Sequence, residues 1–89
     1  MPSYTIEWKA SAKKELRKLP PQTIKKIITA VSALADEPHP IGHRKLTGSR
    51  HSYRIRIGNY RVIYNIFGGK LVIEVVRVAH RKDVYRWNS

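Results

Sequence analysis

The chain has 89 residues, which is room for one domain over residues 1–89 and a thin core, because a fold this small buries only about 60% of the surface its unfolded chain exposes. It has no cysteine, so disulfides and thiolate metal sites are excluded. Eighteen Lys and Arg stand against six Asp and Glu, a formal net charge of +12. That balance calls for a polyanionic partner (nucleic acid, an acidic protein or an anionic membrane) unless the basic surface is simply solvated.

The opening MPSYTIEWKAS carries no apolar run of the kind a signal peptide needs, and no stretch approaches bilayer-spanning length. A soluble, cytoplasmic protein without membrane attachment is the expectation. Residues 4–8, YTIEW, alternate and hold β-branched and aromatic side chains, so they predict a strand. In the following KASAKKELRKL, Trp8, Ala12, Leu16 and Leu19 fall on one helical stripe. Pro20 and Pro21 end that helix, and Pro21 suits the first turn of the next. In QTIKKIITAVSALADE, Ile24, Ile27, Ile28, Val31 and Leu34 form a second apolar stripe. Lys13, Lys14, Lys25 and Lys26 lie mostly off these stripes, on faces that either grip RNA or are simply solvated. Trp8 reads as a core anchor.

Residues 38–51, PHPIGHRKLTGSRH, read as a loop from their Pro, Gly and Ser content. His39 and His43 have a metal-like spacing, but the intervening PIG forbids a regular helix and no carboxylate or cysteine cluster accompanies them, so a loop is the reading rather than a zinc site. The period then switches to two. SYRIRI, YRVIYNIF and KLVIEVVRV predict three strands, joined at Gly58-Asn59 and Gly68-Gly69, both two-residue hairpin signals. The order is β-α-α-β-β-β: an α+β fold with a helical hairpin packed on a mainly antiparallel sheet.

A two-residue loop at Gly58-Asn59 fixes the first register. Ile57 pairs with Tyr60, Arg56 with Arg61, Ile55 with Val62, Arg54 with Ile63, and Tyr53 with Tyr64. Tyr53, Ile55, Ile57, Tyr60, Val62 and Tyr64 then share an apolar face under the helices, and Arg54, Arg56 and Arg61 share the other. A two-residue loop at Gly68-Gly69 extends the pattern: Ile63 pairs with Glu74 and Arg61 with Val76. Val78 and, on continued extension, His80 then join the arginine face. Arg56 opposite Arg61 is a like-charge pair, unfavourable unless something offsets it. Glu74 neutralising one arginine is the bland account. A phosphate site is the sharper one, since guanidinium binds phosphate oxygens in bidentate fashion and stays charged. Tyr85 and Trp87, close behind in sequence, are candidates to stack on bases.

HRKLTGSRHSYRIRIGNYRVIYNI followed by VVRVAHRKDVYR resembles the RelE/ParE superfamily of toxins from type II toxin–antitoxin systems, over nearly the whole chain. The closing HRKDVYR is similar to the RelE branch. That resemblance implies a ribosome-dependent endoribonuclease that cuts mRNA in the A site and inhibits translation. It implies as partners the ribosome, mRNA and a cognate RelB-like antitoxin with an amphipathic helix; neither metal nor cofactor is implied. Two lysines of the family motif fall on Arg54 and Arg56, an arginine on Arg61, and a late Arg and Tyr on Arg81 and Tyr85. Arg44, Lys45, His51 and Arg86 extend the set as RNA contacts.

The implied reaction is attack of a ribose 2′-OH on the adjacent phosphate. Arg54, Arg56 and Arg61 suit phosphate binding and transition-state charge. His80 is the candidate base, the other reading being a turn residue bonded to backbone. Arg81 is the candidate acid or leaving-group stabiliser, and Tyr85 orients or stacks. Two other functions stay open: a ParE-like, non-catalytic inhibitor of DNA gyrase, and a basic RNA-binding module without catalysis.

Overall fold

A computed structural model of the chain describes residues 3–84. Strand β1 (Thr5–Trp8) leads into helices α1 (Ala10–Arg17) and α2 (Pro21–Ala33). Strands β2 (Arg44–Lys45), β3 (Ser52–Ile57), β4 (Tyr60–Phe67) and β5 (Val72–His80) follow, and a short helix α3 (Arg81–Val84) closes the described chain. The sheet has five strands in the order β1-β5-β4-β3-β2, with β1 parallel to β5 and every other neighbour antiparallel.

The apolar stripes meet as their spacing requires. Ala12 of α1 and Ile27, Val31 and Leu34 from α2 and its C-cap pack on Ile55, Val62, Tyr64, Ile66, Ile73, Val75 and Val78 of the sheet. Each large aliphatic side chain so buried contributes on the order of 1.5–3 kcal/mol. Trp8, Leu16 and Leu19 border this core, while Ile28 stays exposed. Pro20 is the N-cap of α2 and Pro21 its first residue, where a missing N–H costs nothing. The helix stops at Ala33, short of the predicted end. The N–H groups of Leu34 and Ala35 turn back to Val31 and Ser32, and Pro38 bars the helical conformation just beyond.

The long loop contains a strand that the sequence pattern did not reveal. In β2, Arg44 pairs with Arg54 and Lys45 with Tyr53. Leu46 N–H then donates to Ser52 O at 2.9 Å, and Gly48 takes a φ of +80° in the turn between.

The β3–β4 register is as expected at every pair, from Tyr53↔Tyr64 to Ile57↔Tyr60. Positive φ in that loop is confined to Gly58, at +59°, the requirement of a type II′ turn. The β4–β5 register is not as expected. The connection is longer, with Phe67 paired to Val72 and Leu71 at a φ of +54°. A β-bulge then leaves Val76 without a paired residue on β4, between Tyr64↔Val75 and Ile63↔Arg77. Arg61 therefore pairs with Ala79, and Ile63 does not meet Glu74. The loop's two extra residues preserve the faces, but the bulge's single extra residue inverts them. Val78 joins the core, and His80 stands opposite Tyr60 on the helix-facing side.

Beyond Trp8 no strand of the described residues lies beside the outer edge of β5, and α1 serves that edge instead. Ser11 Oγ donates to Val76 O at 3.2 Å, and Val78 N–H donates to Glu15 Oε1 at 2.9 Å. The other Glu15 oxygen pairs with Arg77 Nε at 3.2 Å.

Candidate nucleic-acid interface

Residues directly opposite across antiparallel strands project to the same side, so the ladders define two adjacent rows on the face away from the helices. One row runs Arg44, Arg54, Ile63, Arg77, and the next runs Arg56, Arg61, Ala79. The Cα atoms of Arg44, Arg54, Arg56 and Arg61 lie about 5 Å apart between strands and about 7 Å apart along them. Buried Ile63 is the apolar floor between them, at 5% exposure.

Two contiguous concavities of ≈ 380 Å³ each open on this cluster. Arg44, Lys45, Leu46, Thr47 and Arg54 line one; Gly42, His43, Arg44, Arg54, Arg56 and Arg61 line the other. Among the described residues no carboxylate lines either. Glu74, the expected neutralising partner, is taken up elsewhere: it accepts from Asn65 Nδ2 at 3.1 Å, and Asn65 in turn accepts from the Ser52 hydroxyl. Arg61 is set in place by its own turn, donating to Gly58 O at 3.3 Å and Tyr60 O at 3.1 Å. The arrangement is a preorganised array of guanidiniums, suited to bidentate contact with successive phosphates.

Arg81 opens α3, and its N–H donates to Asn59 O at 2.8 Å. That bond brings Arg81 to the end of the sheet that carries Arg56 and Arg61. His80 is at the same end but on the other side. Its ring stands edge-on to Tyr60 at 5.5 Å, and both line a separate cavity of ≈ 450 Å³ with Glu15, Lys18 and Asp83. Lys82 N–H donates to His80 Nδ1 at 3.3 Å, a turn contact.

The family described as the ParE toxin of type II toxin–antitoxin systems, parDE, matches residues 6–85. The chain belongs to that family. Within it the relatives point to the RelE branch. Toxin RelG of Mycobacterium tuberculosis is 33% identical over 87 residues, 93% of this chain and 97% of that protein. A putative toxin RelE1 of Methanocaldococcus jannaschii is 29% identical over 86 residues, 93% and 96% of the two chains. The fold agrees with an archaeal RelE–RelB complex from Pyrococcus horikoshii, with a TM-score of 0.81 at 28% identity over 91% of this chain and 98% of that one. It agrees also with isolated RelE of Escherichia coli, with a TM-score of 0.78 at 26% identity over 96% and 94%.

The remaining positions expected to act in this RelE-like toxin divide as follows. Tyr85 and Arg86 lie outside the described residues. His51 is at the far end of β3 from Arg56, about 16 Å along the strand, with its ring 5.0 Å from Phe67. Sequence reasoning missed one residue that lines the groove, His43. Arg77 takes a register position in the Arg44–Arg54 row because of the bulge, but its side chain pairs with Glu15 and lines the cavity that holds His80, not the groove. His43 joins the groove because β2 holds the loop against β3; the turn signal Thr47-Gly48 between RKL and SYRIRI was the available hint of that short hairpin.

Proposed function

We propose that this toxin is a ribosome-dependent endoribonuclease that cuts mRNA in the ribosomal A site. The observation that carries this reading is the carboxylate-free face built by Arg44, Arg54, Arg56 and Arg61. A non-catalytic protein-binding surface does not require four guanidiniums held side by side against their mutual repulsion. A phosphodiester backbone supplies the charge that offsets it.

In this reading Arg54 and Arg56 hold the scissile phosphate and its neighbour. Arg61, fixed by its turn, stabilises the charge that develops on the phosphate oxygens as the 2′-oxygen attacks. Arg81 stabilises the leaving 5′-oxygen, and Tyr85 orients or stacks on a base. Arg44 and Lys45 extend the track along the RNA. Because the site has many anchors and depends on a positioned substrate, free protein is expected to cut naked RNA poorly. Relatives solved as RelE–RelB complexes support an antitoxin of RelB type as the partner that silences this chain. An amphipathic helix laid beside the sheet is the expected contact.

Primer extension on translating mRNA after induction tests the reading, with cuts at fixed codon positions as the expected result. The parDE description of the matching family supports a second reading, inhibition of DNA gyrase. Intact message together with loss of supercoiling would establish that one instead.

A further inference from the structure

The arginine rows occupy one half of the sheet face that looks away from the helices. About 7 Å further along the strands, the next row runs Ser52, Asn65, Glu74 and, across the parallel ladder, Glu7. Three of these are joined side chain to side chain. Asn65 Nδ2 donates to Glu74 Oε1 at 3.1 Å, and the Ser52 hydroxyl donates to Asn65 Oδ1. A carboxylate only accepts, so it fixes the amide with Nδ2 towards Glu74 and Oδ1 towards Ser52. All three residues are half-buried, and the second Glu74 oxygen has no partner among the described residues. Phe67 stands beyond the row, two residues past Asn65 on β4 and therefore on the same face. Its half-buried ring lies 5.0 Å from the exposed ring of His51, and Val72 is beside it across the ladder.

Charge divides this face in two. The guanidiniums at one end draw phosphate, while Glu74, with exposed Glu7 next to it, repels phosphate at the other. A single strand lying along the sheet keeps its backbone over Arg54 and Arg56 and turns a base towards Glu74 and Phe67. Unpaired RNA bases are read by stacking on an aromatic ring and by hydrogen bonds to the base edge, whereas phosphate contacts carry no sequence. The hydrogen-bonding groups left over in the row select the base. In order they are the second hydrogen of Asn65 Nδ2 and the two oxygens of Glu74, one donor followed by two acceptors. Guanine alone among the four bases presents the complement on one edge: the O6 acceptor, then N1–H, then N2–H. Adenine and cytosine set a ring lone pair beside their amino group, and uracil flanks its N–H with two carbonyls. Each of those brings a lone pair against the carboxylate.

We propose that Asn65, Glu74 and Phe67 form a base subsite that takes a guanine of the bound RNA. The inference rests on the reading above for one point, that the arginine rows hold RNA phosphates. Guanine O6 accepts from Asn65 Nδ2, N1–H and N2–H donate to the two oxygens of Glu74, and the base lies on the ring of Phe67. Ser52 keeps the amide turned the right way by donating to its oxygen. The subsite performs no chemistry; it gives the phosphate site a sequence preference.

The experiment titrates wild type, Glu74→Gln and Phe67→Leu into end-labelled short oligouridylates, either unsubstituted or carrying one central G, A or C, and follows fluorescence anisotropy. Wild type should bind the guanine oligomer about 5–150-fold more tightly than the others. Glu74→Gln keeps an acceptor for Asn65 Nδ2, so the row survives, but it sets an amide N–H against the guanine donors and should level the four affinities. Phe67→Leu keeps apolar cover without a ring and should weaken the guanine complex several-fold. Cleavage on ribosomes programmed with A-site codons that differ in one base then locates the guanine. A codon preference that Glu74→Gln abolishes puts it in the message, and the oligomer preference without a codon preference puts it in ribosomal RNA. Equal affinity of wild type for all four oligomers overturns the subsite, and so does a guanine preference that persists in Glu74→Gln. A guanine preference in a protein that leaves programmed message intact overturns the cleavage reading and leaves this inference standing.

Discussion

Arg56 and Arg61 face each other directly across the β3–β4 ladder, on the same side of the sheet. Like charges so placed cost on the order of 0.2–1 kcal/mol. Arg56 is exposed, whereas Arg61 also holds its turn through Gly58 O and Tyr60 O. Arg56→Ala should therefore stabilise the free protein, raising the melting temperature by a few degrees at about 4–8 °C per kcal/mol for a chain of this size. The same variant should weaken RNA binding and reduce the slope of log affinity against log salt by about 0.7–1. Thermal melts and a salt titration on the same preparation check both. A variant that melts lower and binds RNA unchanged would mean that the pair is not an anion site.

His80 lies across the sheet from the groove, edge-on to Tyr60. His80→Ala is expected to keep the shape of the pH–rate profile, because no proton of the substrate reaches it. Arg61→Ala should lower the whole profile without changing its shape, by roughly 10²–10³-fold if it stabilises the developing oxyanion. Profiles measured side by side on programmed ribosomes decide this. A flattened limb in His80→Ala would return the proton transfer to that residue.

Glu15 serves the edge of β5 twice, accepting from Val78 N–H and pairing with Arg77. Hydrogen bonds to a charged acceptor contribute about 1.5–3 kcal/mol, while a partly exposed ion pair adds at most about 1 kcal/mol. Glu15→Ala should then cost about 2 kcal/mol, most of it from the orphaned N–H. Glu15→Gln, which keeps an acceptor, should cost under about 1 kcal/mol. Urea denaturation of the two variants measures the difference, and equal losses would assign the stability to the ion pair.

Tyr64 is fully buried, and its hydroxyl donates to Pro38 O at 3.0 Å. Burial, with a smaller push from Tyr53, raises its ionisation well above the ordinary phenol range. In the unfolded chain the same phenol ionises near pH 10. The unfolded state therefore loses its proton first, so stability is complete below about pH 10 and declines as pH rises beyond it. Tyr64→Phe should lose about 1 kcal/mol at neutral pH with its hydrogen bond, and its melting temperature should fall less steeply than wild type above pH 10. Melts from neutral to alkaline pH test the slope, and parallel curves would mean that Tyr64 does not carry the alkaline loss.

Much of the fold was legible because its signals are local. Pro20-Pro21 marks a helix junction in two residues, and Gly58-Asn59 sets a whole hairpin register, so the Arg56–Arg61 pair followed from sequence alone. The site's outer half was less legible. A strand of two residues, Arg44–Lys45, has no period to detect, and its existence depends on backbone pairing with Arg54 and Tyr53. His43 could not be placed without it. The β5 register failed for a different reason. Val75 and Val76 are equally apolar, so composition does not say which of them faces the core and which one the ladder skips.

That skipped residue has a consequence for how such a chain changes over generations. Val76 acts as a parity bit for everything that follows in β5. With it, odd-numbered Arg77 and Ala79 share the side of Arg61; remove one residue there and Val78 and His80 take their place. A single-codon deletion would thus exchange a guanidinium for an aliphatic group in one row and set an imidazole beside Arg61 in the next. Relatives with the same C-terminal letters can differ in which of them meet the substrate, and an alignment that slides one position through this strand would hide the exchange.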